Sequence, residues 1–241
     1  MPASDLAVPA GATPTVAEST LAALWQAAGL PASALAMARL PGSGQVLPSS
    51  FDVSTAAQAS IGAAALAAAW LWQHRSGQRQ RVQVDRRHAT LEFTGWFAID
   101  GVVPSAWDKL SGLYACGAAL GQPRWVRVHA NFAHHRDAAL RVLGLPPGPD
   151  TARDAVAQAL AHWRAADFEQ ATMDAGGVAA AVRSLADWDA HPQAAAVAAQ
   201  PLVAITPIAG GDAPPRAWPA VQAGTAGAAA AGRPLAGLRV L

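Results

Sequence analysis

Cysteine is nearly missing from this sequence: Cys116 stands alone among 241 residues. A lone thiol excludes an internal disulfide framework and a cysteine-based metal cluster, and it fits a reducing compartment. Charge is also scarce, at 14% Asp, Glu, Lys and Arg, and nearly balanced, with 17 basic against 16 acidic residues. Without a Lys/Arg block there is no stripe to track phosphates, so no nucleic-acid partner is expected. A basic n-region is absent too. Asp5 and Glu18 fall within the first thirty residues, which does not suit a signal peptide. The longest apolar stretch, residues 56–72, is mostly alanine and is broken by Gln58, Ser60 and Gly62. A membrane span needs about 20 strongly apolar residues, so this stretch is expected to be a buried helix, with no membrane partner and a cytoplasmic location.

What is present is alanine, 52% apolar residues in all, and nine tryptophans, enough for a sizeable core. Residues 19–28 predict a short amphipathic helix with Leu21, Leu24 and Trp25 on one face, stopped by Gly29 and Pro31. Otherwise residues 1–50 read as a loosely ordered segment, with a Pro/Gly/Ser loop over 41–50. Ser54 or Thr55 is expected to cap a long helix to about Arg75, with Gly77 as its left-handed stop. Alternation over 81–85 predicts a half-buried strand, and 87–97 a helix. Residues 113–116 and 125–130 read as two strands of a hairpin around Gly117, Gly121 and Pro123. Asn131 is expected to cap a helix over 132–143, closed by Gly144, and Thr151 another to about Arg164. A helix over 167–175 stops at Gly176-Gly177, a strand follows over 178–182, and Ser184 caps a short turn. Residues 201–208 read as a last strand, 209–232 as an Ala/Gly/Pro linker, and 233–241 as the opening of a buried parallel strand. Such a strand with no neighbours cannot satisfy its backbone, so the chain is expected to be incomplete.

Four segments carry a resemblance. An Ala-rich helix runs into RSGQRQRVQV at 75–84, WVRVHANF at 125–132 leads into a helix, FEQATMDAGGVAAAVRSLADWDAHPQ spans 168–193, and RPLAGLRVL closes the chain at 233–241. Together they resemble the family III CoA-transferases, the group of formyl-CoA transferase, carnitine CoA-transferase and α-methylacyl-CoA racemase. Arg79 stands where that family usually has its second glycine, and the segment like the family's nucleotide-fold opening comes last instead of first. The resemblance implies an α+β fold: a helix-rich module with a small mixed or antiparallel sheet over 51–208, then a truncated Rossmann-like strand start. It implies transfer of coenzyme A between an acyl-CoA and a carboxylic acid acceptor, no tightly bound cofactor, and a homodimeric parent. Racemase and dehydratase-like relatives remain open.

The implied chemistry uses a carboxylate nucleophile that attacks the thioester carbonyl, forming a mixed anhydride and releasing CoA thiolate, which then attacks the enzyme-side carbonyl, expelling the donor carboxylate and leaving an enzyme thioester. Oxyanion donors stabilise the tetrahedral states. No stretch of residues 1–50 resembles the family's aspartate motif. Asp52 is the catalytic candidate by residue type alone, against a plain helix-terminal charge. His129, Asn131 and His134 are candidates to face substrate or CoA, with His135 and Arg136 beside them. Adjacent histidines diverge by about 100° on a helix and no H-E-x-x-H pattern occurs, so no metal is expected. Arg75, Gln80 and Cys116 read as structural. Two alternatives stand beside a fragment inactive alone: a non-catalytic interaction or dimerisation module, suggested by Trp70, Trp72, Trp96 and Trp107, and the relic of a split gene.

Overall fold

A computed structural model describes residues 14–95, 97–206 and 234–235. The chain is α+β, with a small parallel sheet and a separate three-stranded antiparallel sheet. It divides into two compact units, one from the N-terminus to Trp96 together with the C-terminal segment from Pro201, the other Phe97–Gln200. The expected module over 51–208 draws on both.

The first unit opens with α1 (Val16–Ala27). Thr15 accepts from the Glu18 amide while the Glu18 carboxylate accepts from the Thr15 amide, a reciprocal cap that fixes the start three residues before the sequence suggested. Leu21 and Trp25 are buried as their spacing predicted, and Trp25 Nε1 donates to the Pro31 carbonyl at 2.9 Å. A 3₁₀ turn (Ala32–Met37) leads into β1 (Ala38–Arg39), which pairs in parallel with β2 (Val82–Gln83). Between them runs α2 (Val53–Ser76), closed by Gly77 at φ 75. The segment expected to be loose thus contributes Ala17, Leu21, Trp25, Met37 and Leu40 to a core shared with Ala59 and Leu66 of α2. Alanine and glycine in α2 let other elements come close: a Cβ on Gly62 would sit 3.1 Å from Leu40 Cδ2. Buried Gln58 on α2 donates to the carbonyls of Pro41 at 2.8 Å and Val84 at 2.9 Å, tying the ends of both strands to the helix. The short helix α3 (Arg86–Glu92) follows, capped by Asp85.

With 24 residues, α2 is longer than the apolar run suggested, and it is the one helix among the described residues long and apolar enough to cross a membrane. Ala57, Ala59, Leu66, Ala69 and Trp72 are nonetheless buried within the protein.

The second unit is built on β3 (Gly112–Cys116), β4 (Arg124–Val128) and β5 (Ala179–Ala181), antiparallel in the order β3-β4-β5. Period-two alternation sends Tyr114, Cys116, Val126 and Val128 inward. There they meet Ala139 and Leu140 of α4 (Ala133–Val142), Val156 and Leu160 of α5 (Arg153–Leu160), and Phe168 of α6 (Ala165–Asp174). Full burial of each large side chain here stabilises by roughly 1.5–3 kcal/mol. Cys116 is fully buried, and burial raises its thiol pKa, as a structural thiol requires. The unit ends in α7 (Leu185–Asp189), capped by Ser184, and α8 (Pro192–Ala198), which the sequence reading missed.

Three local expectations are corrected. Residues 201–206, the described part of the run expected as a strand, form none, and no partner strand lies beside them among the described residues. The side chain of Thr151 does not cap α5; its hydroxyl donates to the Pro146 carbonyl. Neither Ser54 nor Thr55 caps α2, because both lie inside the helix and Asp52 precedes it. The linker over 209–232 and the strand start over 233–241 lie outside the described residues, apart from a turn at 234–235.

Candidate functional site

The polar cluster of the second unit grows from the end of β4. Val126 and Val128 point into the core, so Arg127 and His129 share the outer face of the sheet. The His129 amide donates to the Val178 carbonyl at 3.0 Å, extending the ladder one residue past the strand. The chain then turns through Asn131 into α4, whose first turn carries His134 and His135.

Asn131 was expected to cap α4 and does not. Its Oδ1 accepts from the Asp108 amide at 3.1 Å and the Ser111 hydroxyl at 2.7 Å, and its Nδ2 donates to the Ala106 carbonyl at 2.9 Å. Ser111 Oγ in turn accepts from the Ala130 amide at 2.8 Å. Asn131 therefore holds the 106–111 loop, and with it Trp107, against the end of β4. Phe132 takes the helix-preceding position with no side-chain cap.

Around His129 the rings close up. Trp107 lies 6.2 Å away, Phe132 6.0 Å and His135 5.8 Å, centroid to centroid. Phe132 also contacts His134 at 5.8 Å and His135 at 5.4 Å, and the two adjacent histidines are 4.1 Å apart. The Arg127 guanidinium sits 5.0 Å over the Trp107 ring. Partial burial, then the fields of His134 and His129, hold the His135 pKa below its ordinary 6.5. The shielded Nδ1 atoms of His129 and His135 have no hydrogen-bond partner. Arg136 pairs with Asp108 at 3.7 Å and Asp137 at 3.0 Å. Two of the sequence candidates, His129 and His134, thus meet in one cluster, while Asn131 supports it from behind. Arg127 and Phe132 were not singled out, and Trp107 was named only as an interface residue. The alternation of β4 was the available signal for Arg127. Among the described residues no group of three or more His, Cys, Asp or Glu is arranged to hold a metal ion.

Asp52 belongs to the first unit, on the wall of a cavity of about 400 Å³ lined by Gln45, Ser49, Phe51 and Arg86 among others. Its oxygens are already engaged. Oδ2 accepts from the Thr55 hydroxyl at 2.6 Å, and Oδ1 accepts from the Thr55 amide and from Arg86, each at 3.0 Å. Arg86 also donates to Thr55 Oγ1 and to the Gly44 carbonyl. The Thr55 hydroxyl first, then its amide and Arg86, hold the Asp52 pKa below the usual carboxylate value. A carboxylate so engaged and so weakly basic is a helix cap, poorly suited to attack a thioester.

No family model matches the chain, and no curated protein matches it. Solved structures do. A crystal structure of the hypothetical protein Rv3272 from Mycobacterium tuberculosis is similar at 17% identity and a TM-score of 0.49, covering 79% of this chain and 54% of that one. An orthorhombic form of Rv3272 matches at 18% identity and 0.47, covering 79% and 53%. The chain spans about half the length of these structures.

Proposed function

We propose that this chain is the small α+β part of a family III CoA-transferase, acting in the cytoplasm on an acyl-CoA and a carboxylic acid within a longer, homodimeric protein. One observation supports this reading most directly: the first three resembling segments fall on whole structural units, in the order in which the resemblance runs. The first is α2–Gly77–β2, the second β4 leading into α4, the third α6–Gly176–β5–α7–α8. The engagement of Asp52 adds a consequence. With Asp52 so engaged, this reading puts the nucleophile elsewhere, and the 241-residue chain on its own turns over little acyl-CoA.

Titration calorimetry with acetyl-CoA and CoA, alongside a discontinuous turnover assay, tests both parts. Saturable acyl-CoA binding without turnover is expected. Absence of any binding would remove the transferase reading. Turnover near ten per second, an ordinary enzyme rate, would remove the claim that the nucleophile lies elsewhere.

One feature favours a non-catalytic interaction module as the second reading. The outer face of the antiparallel sheet exposes Leu113, Trp125 and Val182, and large apolar groups cluster at interface cores. Of the tryptophans that first suggested it, Trp72 is buried at 6% exposure, Trp70 is half-buried, Trp96 lies outside the described residues and only Trp107 is exposed. Light scattering separates the readings, because a monodisperse monomer at high concentration counts against the module.

A further inference from the structure

We infer that Arg127, His129 and His134, walled by Trp107 and Phe132, form a binding site for a small carboxylate with a flat or short apolar body. The charge around the cluster motivates the anion. The nearby carboxylates, Asp108 and Asp137, are both committed to Arg136. Asp108 Oδ1 further accepts from the Leu110 amide, and Asp137 Oδ1 from the Gly148 amide. Among the described residues no carboxylate pairs with Arg127, whose recorded partner is the face of Trp107. Arg127 is therefore a permanent cation with no carboxylate partner among the described residues, set on the same sheet face as His129.

The rings supply the rest. Trp107 and Phe132 are each 57% exposed, although aromatics of this size usually bury most of their surface. They flank His129 on two sides, at 6.2 Å and 6.0 Å. A planar or short apolar body that covers both rings places its carboxylate beside the Arg127 fork and the imidazole N–H groups, donors that suit a carboxylate. Asn131, through its three bonds to the 106–111 loop, presets the Trp107 wall. The site rests on the transferase reading only in calling this acid the CoA acceptor. Binding of a free acid needs neither CoA nor a nucleophile.

Benzoate is the probe, followed through the histidine ring proton resonances of the full 241-residue chain. Benzyl alcohol serves as the uncharged analogue and inorganic phosphate as a bodiless anion. Expected are saturable shifts of the His129, His134 and His135 signals with benzoate. Affinity should fall at least tenfold in Arg127→Gln and in Trp107→Ala, and stay within twofold in Arg124→Gln, which removes an exposed cation from the same strand. Equal affinity for benzyl alcohol would reduce the site to an apolar patch and overturn the assignment. So would equal affinity for phosphate, an unchanged Arg127→Gln, or no saturable shift. Arg127→Gln removes an exposed side chain, so its fold is checked simply by an unchanged melting temperature. Benzoate binding in a chain that ignores acyl-CoA leaves this site standing and removes the transferase reading; the reverse result does the opposite.

Discussion

Arg153 should be worth more to the second unit than any other exposed cation. It starts α5 and reaches back to the edge strand β3. Its Nη1 donates to the carbonyls of Lys109 and Ser111, both at 3.2 Å, and Nη2 to that of Leu113 at 3.0 Å. The guanidinium also lies 4.2 Å over the ring of Tyr114. These carbonyls face away from β4, so the side chain occupies an edge that would otherwise be open to a foreign strand. Three exposed bonds at about 0.5 kcal/mol each, with a cation–π contact of similar size, give about 2 kcal/mol for Arg153→Ala. For a unit of this size that lowers its melting temperature by roughly 10 °C. Arg153→Lys keeps the charge, but one ammonium cannot span three carbonyls, so it should recover less than half. The chain's single tyrosine offers a second readout. Burial raises the Tyr114 phenol above 10.0, and Arg153 opposes that rise. Its folded pKa lies above the unfolded one, so the neutral phenol favours folding below pH 10, and the contribution disappears as pH climbs through the folded value. Without Arg153 the phenol should titrate higher still, followed by difference absorption. A shift under 2 °C in Arg153→Ala, full rescue by lysine, or an unmoved phenol would each defeat the reasoning.

Other perturbations have equally direct outcomes. Asp52→Ala should cost about 1 kcal/mol by chemical denaturation, the value of a helix cap, with the Arg86 pair adding little because the Asp52 side chain is 56% exposed. Since the Asp52 pKa is lowered, its contribution is full above pH 3.8 and fades as pH falls through the depressed value, so the wild-type and Ala denaturation midpoints should converge in acid. Gly117→Ala should destabilise the second unit by about 3 kcal/mol, because φ is +71 there and a Cβ would collide with the Gln122 carbonyl. His135 has a depressed pKa, so its neutral form supports the fold above about pH 6.5 and that support is lost as pH falls further. The groups that face it are His129, His134 and Phe132. Thermal melts from pH 8 to 5 should flatten in His135→Gln.

What the sequence disclosed depended on how local the deciding interaction was. The α2 helix was legible because alanine propensity and a left-handed glycine stop act within a few residues. The hairpin was legible because alternation and the turn glycines act over adjacent strands. The Ser184 cap needed only Asp187, three residues on. β1 was not legible: two residues long, it exists because Val82 and Gln83 lie beside it more than forty positions later. The reverse error occurred at 201–206, a strand-like run that meets no strand among the described residues. At the start of α2, Asp52, Ser54 and Thr55 could each have capped, and only the engagement of Asp52 by Thr55 and Arg86 decides among them. Pro192 at the first helical position was the available signal for α8, and the sequence reading did not use it.

The site divides along the same line. His129 and His134 were found from composition, since polar rings between two apolar patterns stand out. What composition does not carry is the arrangement that gives them a use. Asn131 looked like a cap because it precedes a helix, yet all its polar atoms face a loop twenty or more residues upstream. That loop supplies Trp107, and Trp107 in turn orients Arg127. If this ordering is right, Asn131→Ala should release Trp107 without touching the histidines. The change should cost the apolar wall, so benzoate affinity should fall with the resonances of free His134 unmoved. A histidine cluster reshaped in the unliganded Asn131→Ala chain would instead mean that Asn131 shapes the rings directly, and that the loop is incidental.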